Sequence, residues 1–387
     1  MIWRPLLVGA RADRAGQMIA RIAERLAGAA EGSEVDLAHG AAGVAVFFHH
    51  LAEAGLGAAS HAEEMLERAF QAVADRPMLP GLHEGFTGIA WAAQHVLGDA
   101  DEIVGDIDAA VLELTSRSPW VGRYDLVSGL VGLGVYALER RPHGAADAIL
   151  DNVVARLDEL AVPAATGRSL RTPPEAIHFA LCSVVGGDCC TTGVAHGVAA
   201  AIGLLGSVAG DRASRLRHAL TAWLASVADP RPDGSTYPPF VSGEGPGLGR
   251  RGPAWCSGDL GIAAALSRAG RATGERGLEE LAVAAAHRAT SWSRPHDVSE
   301  PTLCHGTAGV LHVFNRLYHT TGQTVFGDAA VRWLDDTLAL CERDDGALVS
   351  RLAHEQPGLL TGAAGIGLAL LAAITDREPR WDIVLLT

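Results

Sequence analysis

Apolar residues recur along this chain in two alternating textures. The first is an almost unbroken Ala/Val/Leu run opened by a G-x-x-G step, seen in "HGAAGVAVFF" (39–48), "EGFTGIAWAA" (84–93), "SGLVGLGVYAL" (128–138), "SGDLGIAAAL" (257–266), "HGTAGVLHVF" (305–314) and "TGAAGIGLALL" (361–371). A seventh copy, "HGVAAAIGLL" (196–205), carries Ala200 in place of the second glycine. The second texture is amphipathic at helical spacing. It covers 61–75, 145–160, 212–229, 277–292 and 326–343, and in the last of these Phe326, Trp333, Leu334, Leu338 and Cys341 share one face.

Such self-similarity is the signature of a repeat architecture. The repeating unit reads as a polar-faced outer helix and an apolar inner helix, seven times, with strand signals nearly absent. A helix that is apolar all round needs neighbours on every side, and seven stacked pairs satisfy this by closing into a ring. The expected fold class is all-α, an α/α toroid, formed as a single domain over residues 1–387. Glycine before or within a first turn lets backbones approach closely and permits unusual φ, so each G-x-x-G taken alone reads as packing. Two long interruptions, about 161–195 and 230–254, each lead into a G-x-x-G step and are expected to lie on the rim where inner helices begin; loops of that length are uncommon unless functional.

Composition narrows the function classes. The chain is 48% hydrophobic and 20% charged, enough to bury a sizeable core. A net charge of −14 opposes nucleic-acid binding through phosphate neutralisation. All 31 cationic residues are arginine, which excludes Schiff-base, pyridoxal-phosphate and P-loop lysines. The N-terminal stretch has no signal-peptide pattern, and the longest apolar run, 362–374, is shorter than the roughly 20 residues that span a bilayer. A cytoplasmic protein with reduced cysteines is expected.

The repeats stop being alike just ahead of the first glycine. The pairs there are Ala38-His39, His83-Glu84, Val127-Ser128, Ala195-His196, Cys256-Ser257, Cys304-His305 and Leu360-Thr361, with Asp125 slightly upstream in "YDLVSG". Cys256, Cys304 and His305 form a Cys₂His set, and catalytic zinc takes three protein ligands and leaves one position open. Helix N-termini also favour thiolate. The adjacent Cys-His spacing is unusual, and a buried cysteine with a capping histidine remains the alternative reading. Cys341 reads as core. Cys182, Cys189 and Cys190 lie in a long loop, where incidental thiols are favoured over a second metal site. His39 and Glu84 read as capping groups, and the histidines of "FFHH" (47–50) show no usable pattern.

"AWCSGDLG" (254–261), "LCHGTAG" (303–309), "AHG" (195–197), "YDLVSGLVG" (124–132) and "PRWDIVLLT" (379–387) together resemble the lanthionine synthetase C-like family, the LanC cyclases, over nearly the whole chain. The resemblance implies an α/α toroid with catalytic zinc on Cys256, Cys304 and His305, and active-site roles for His196 and Asp125. Two departures stand out. Ser257 replaces the aromatic residue that often follows the zinc cysteine, and Arg251 lies one step further from Cys256 than the family's arginine. The implied reaction adds cysteine thiols to dehydroalanine or dehydrobutyrine in the same dehydrated precursor peptide, forming thioether rings, with His196 as general acid oriented by Asp125. The implied partners are that peptide, a separate dehydratase and an export transporter. The competing readings are addition of glutathione or another free thiol, a non-catalytic zinc-stabilised peptide-binding scaffold, and glycoside hydrolysis by carboxylates drawn from Asp125, Glu84 and Asp259.

Overall fold

The structure, a computed structural model, describes residues 2–28, 34–172, 189–243, 245–246, 252–292 and 300–387. Seven apolar helices start at the seven glycine steps: α2 (Ala41–Glu53), α4 (Phe86–Leu97), α6 (Leu130–Glu139), α8 (Val198–Gly206), α10 (Asp259–Thr273), α12 (Thr307–Thr321) and α15 (Ala363–Ile374). The amphipathic segments form α3 (Ser60–Asp75), α7 (Ala146–Leu160), α9 (Asp211–Ser226), α11 (Arg276–Ala289) and α13 (Thr324–Glu342). Three further helices, α1 (Ala10–Ala27), α5 (Asp101–Ser116) and α14 (Ala347–Glu355), complete the described set.

The glycines act through close approach rather than unusual φ. Each first glycine caps its helix in an extended conformation, for example Gly258 at φ −103°, and no side chain caps any of these seven starts. The preceding loop folds back over the first helical turn. A Cβ on Gly261 would overlap the carbonyl oxygen of Trp255, and one on Gly309 would overlap that of Leu303. The nearest obstructing atom belongs to the chain six residues upstream, and the adjacent repeat also approaches, with Val194 Cγ1 2.8 Å from a Cβ on Gly261.

The described chain forms two compact units. In the first, residues 1–104 and 294–381, helices α12, α15, α2 and α4 pack side by side in that order. Phe47, Trp91 and Phe314 are completely buried there, each worth roughly 1.5–3 kcal/mol of transfer free energy or more. Helices α2 and α12 pack best on the outer helix that follows, α3 and α13 respectively. For α15 that partner is α1, from the other end of the chain. Helix α1 buries Ala15, Met18, Ile19, Ile22 and Leu26 at helical spacing. Trp3 pins the segment ahead of it, donating Nε1–H to the Ala372 carbonyl at 2.9 Å and stacking on His319. On α13 the expected apolar face is buried, and burial pushes the Cys341 thiol up to about 12.

In the second unit, residues 105–293 and 382–387, α8 lies between α6 and α10. Helices α7, α9 and α11 pack outside α6, α8 and α10 respectively. The two long interruptions are not plain loops. Val162–Pro163 (β1) pairs antiparallel with Arg168–Ser169 (β2), and Cys189–Thr191 (β3), Phe240–Ser242 (β4) and Gly245–Pro246 (β5) form a second sheet that joins one interruption to the other. Strands of two or three residues are too short to leave a period-2 pattern, which is why only helix was legible here.

Candidate active site at the starts of the inner helices

The residues ahead of each first glycine are tied to their counterparts by backbone hydrogen bonds. In the first unit Cys304 N–H donates to Leu360 O (2.8 Å), Leu360 N–H to Ala38 O (2.9 Å) and Ala38 N–H to His83 O (2.9 Å). In the second, Leu126 N–H donates to Ala195 O (3.2 Å) and Ala195 N–H to Cys256 O (2.9 Å). This ladder sets corresponding stretches of successive repeats side by side, with Leu126 one residue out of step with the others.

In the second unit the ladder brings Asp125 and His196 together. Asp125 is buried, and its Oδ2 lies 2.8 Å from Nδ1 of His196 while its Oδ1 accepts the Ser128 N–H at 2.8 Å. Nδ1 therefore faces a carboxylate, in a ring that is 30% exposed. Cys256 is half-buried one repeat further on. Gly193 lets the strand before His196 lie against it, since a Cβ there would come within 2.6 Å of the Cys256 carbonyl.

In the first unit Cys304 is half-buried and His305 is exposed, at the start of α12. His305 Nε2 is 3.7 Å from a carboxylate oxygen of Glu300. Cys256 and Cys304 are both thiols rather than disulfide sulfurs. Two soft sulfurs and one imidazole at equivalent helix starts match the ligand types and the count of a catalytic zinc site. Arg251 and Cys182 lie outside the described residues.

A model of the family described as lanthionine synthetase C-like protein matches residues 32–386. The chain belongs to that family. Among solved structures, nisin cyclase matches 97% of this chain and 96% of its own at a TM-score of 0.73 and 16% identity. The shared fold makes the α/α toroid the fold class of this lanthionine synthetase C-like chain as well.

Several residues that support this family member's site were not singled out from the sequence. The His196 carbonyl accepts hydrogen bonds from Thr191 Oγ1 (2.5 Å) and Tyr124 OH (3.4 Å), and Thr172 bonds Thr191 at 2.9 Å. Tyr124 adjoins Asp125 in "YDLVSG", but its partners come from the long interruption; burial raises its hydroxyl above the ordinary tyrosine value. Glu300 carried no pattern at all.

Three readings change. His39 does not cap α2: its N–H and its Nδ1 both address Asp36, at 2.7 and 3.4 Å, and that hydrogen bond raises its pKa against the opposing effect of burial. Glu84 is exposed and does not cap α4. Asp259 is buried with its two oxygens accepting the N–H groups of Thr236 (2.7 Å) and Tyr237 (2.9 Å), so it anchors backbone and is not placed as a glycosidase carboxylate. Cys189 is buried in β3 and Cys190 Sγ lies 3.4 Å from Ser169 Oγ.

Proposed function

We propose that this protein is a zinc-dependent lanthipeptide cyclase, a thioether-forming lanthionine synthetase acting on a dehydrated precursor peptide. The observation that carries the reading is the Asp125–His196 pair, built beside Cys256 at the helix starts of a lanthionine synthetase C-like chain. Cys256, Cys304 and His305 would hold the metal and leave one coordination position for the substrate. When bound, zinc lowers the pKa of the substrate cysteine so that it presents a thiolate near neutral pH.

The sulfur of that cysteine forms a bond to the β-carbon of dehydroalanine or dehydrobutyrine in the same peptide, and the carbon–carbon π pair moves onto the α-carbon and its carbonyl as an enolate. One proton leaves the thiol and one arrives at the α-carbon, so no other reagent is consumed. His196 suits both transfers. With Nδ1–H donated to Asp125, Nε2 can take up a proton and return it to the α-carbon. Asp125 fixes the tautomer and stabilises the imidazolium while it exists. Thr191 and Tyr124 hold the backbone of His196 so that the ring does not swing away.

The reading takes residues 1–387 as one catalytic domain acting in the cytoplasm, with a separate dehydratase supplying the substrate and an export transporter receiving the product. It is tested by incubating zinc-loaded protein with a dehydrated, cysteine-containing peptide and counting thiols still open to alkylation. Loss of alkylatable thiols without a mass change supports ring closure. Persistence of every thiol across several peptides, including the encoded partner, overturns it. Gain of the mass of glutathione when that thiol is added assigns the protein to intermolecular addition instead.

A further inference from the structure

At the end of α2 remote from Gly40 stands a second cluster of metal-ligating side chains, in "HHLAE" (49–53). Glu53 is four residues beyond His49 and three beyond His50, the two spacings that meet on a helix surface. Its Oε2 lies 3.0 Å from His50 Nδ1 and 3.7 Å from His49 Nε2. One donor atom from each of the three residues falls within 4.8 Å of the other two.

We propose that His49, His50 and Glu53 bind a divalent first-row transition metal through His49 Nε2, His50 Nδ1 and the Glu53 carboxylate. Tetrahedral bonds of about 2.1 Å require donor atoms roughly 3.4 Å apart, and the two separations bracket that value. His49 Nε2 is buried and makes no hydrogen bond, an arrangement that is unfavourable for a buried polar atom and that a metal ligand bond would relieve. The groups behind the ligands are also in place, as metal sites require. His50 turns its other nitrogen, Nε2, to Nε2 of His95 at 2.9 Å, and His95 is itself stacked on Trp91 at 4.6 Å. The second carboxylate oxygen of Glu53 is 3.3 Å from Arg380. Metal binding would replace the His50–Glu53 hydrogen bond and leave His50 donating Nε2–H to His95. Two imidazoles and one carboxylate suit zinc, cobalt or nickel, and the absence of sulfur separates this site chemically from one containing Cys256 and Cys304.

The test strips the purified full-length protein of metal and titrates it with Co²⁺ alone. A site with cysteine ligands gives a near-ultraviolet thiolate-to-cobalt charge-transfer band, whereas the α2 cluster gives only visible d–d bands. Wild type is expected to bind one equivalent of cobalt with d–d bands alone in addition to the equivalent that gives the thiolate band. The former persists in Cys304→Ala and is absent from His49→Gln and Glu53→Gln, whose substituted side chains are partly exposed and whose far-ultraviolet spectra should match wild type. Zinc added to Cys304→Ala should raise its Tm, a readout needing no change at the cluster. The proposal fails if Cys304→Ala binds no cobalt without large molar excess, or if Glu53→Gln binds as much as wild type. Loss of the thiolate band alone would count against the cysteine site and leave this one standing.

Discussion

Asp125 divides its carboxylate between a partner three residues away and one seventy-one residues away: Oδ1 takes the Ser128 N–H and Oδ2 faces His196 Nδ1, both at 2.8 Å. The first contact fixes the carboxylate against its own loop, and the second uses it to aim an imidazole. If His196 moves the proton, Asp125→Asn should slow ring closure about 10²-fold or more, within the usual range for general acid–base catalysis. His196→Ala should be at least as slow, and the double variant no slower than His196→Ala, because the two residues act as one unit. Single-turnover rates with zinc content measured alongside check this, and a drop in Asp125→Asn that tracks lost zinc would refute the assignment.

Zinc content should follow two cysteines and ignore a third. Cys256→Ala and Cys304→Ala are expected to lose the thiolate-bound metal and the activity together. Chelation should abolish wild-type activity, and added zinc should restore it. Cys341→Ala, inside α13, should keep its zinc and lose about 1 kcal/mol of stability from the small cavity. Metal analysis by mass spectrometry and a melting curve for each variant decide the matter.

The His39–Asp36 contact predicts a pH-dependent stability with a definite sign. Its hydrogen bond and the nearby carboxylates of Glu84 and Glu34 raise the folded-state pKa of His39 above the ordinary value of about 6.5. The folded protein thus holds this proton more tightly than the unfolded chain does. The stabilisation is complete below the unfolded value and is lost as pH rises through the folded one. His39→Asn should therefore lower Tm clearly near pH 5.5 and hardly at all near pH 9, by about the usual interval over which a histidine titrates. An equal Tm difference at both pH values would disprove the charge-based account.

Glycine substitutions should divide by location. Gly261→Ala places a methyl on the Trp255 carbonyl and should cost about 2–3 kcal/mol or more. Gly105→Ala, on α5 with nothing within 4 Å of the added Cβ, should gain about 0.5–1 kcal/mol instead. Denaturant melts of both variants test whether the repeat glycines are required by the folded-back loop.

The sequence by itself marked where each inner helix begins, because the fold-back of six residues onto a first turn leaves so little room for a Cβ that six of the seven repeats carry glycine there and the seventh only alanine, Ala200. It also singled out the candidate site residues Cys256, Cys304, His305 and His196, which interrupt positions that packing alone would leave small or apolar. Only the tertiary structure decided that α1 covers α15, that Thr191 and Tyr124 hold His196, and that β3 pairs with β4. It also decided that His49, His50 and Glu53 turn their donor atoms toward one another. These are pairings between distant segments, or choices of rotamer within one helix. A periodic pattern records which face of an element is buried; which partner covers that face depends on the geometry of the whole chain.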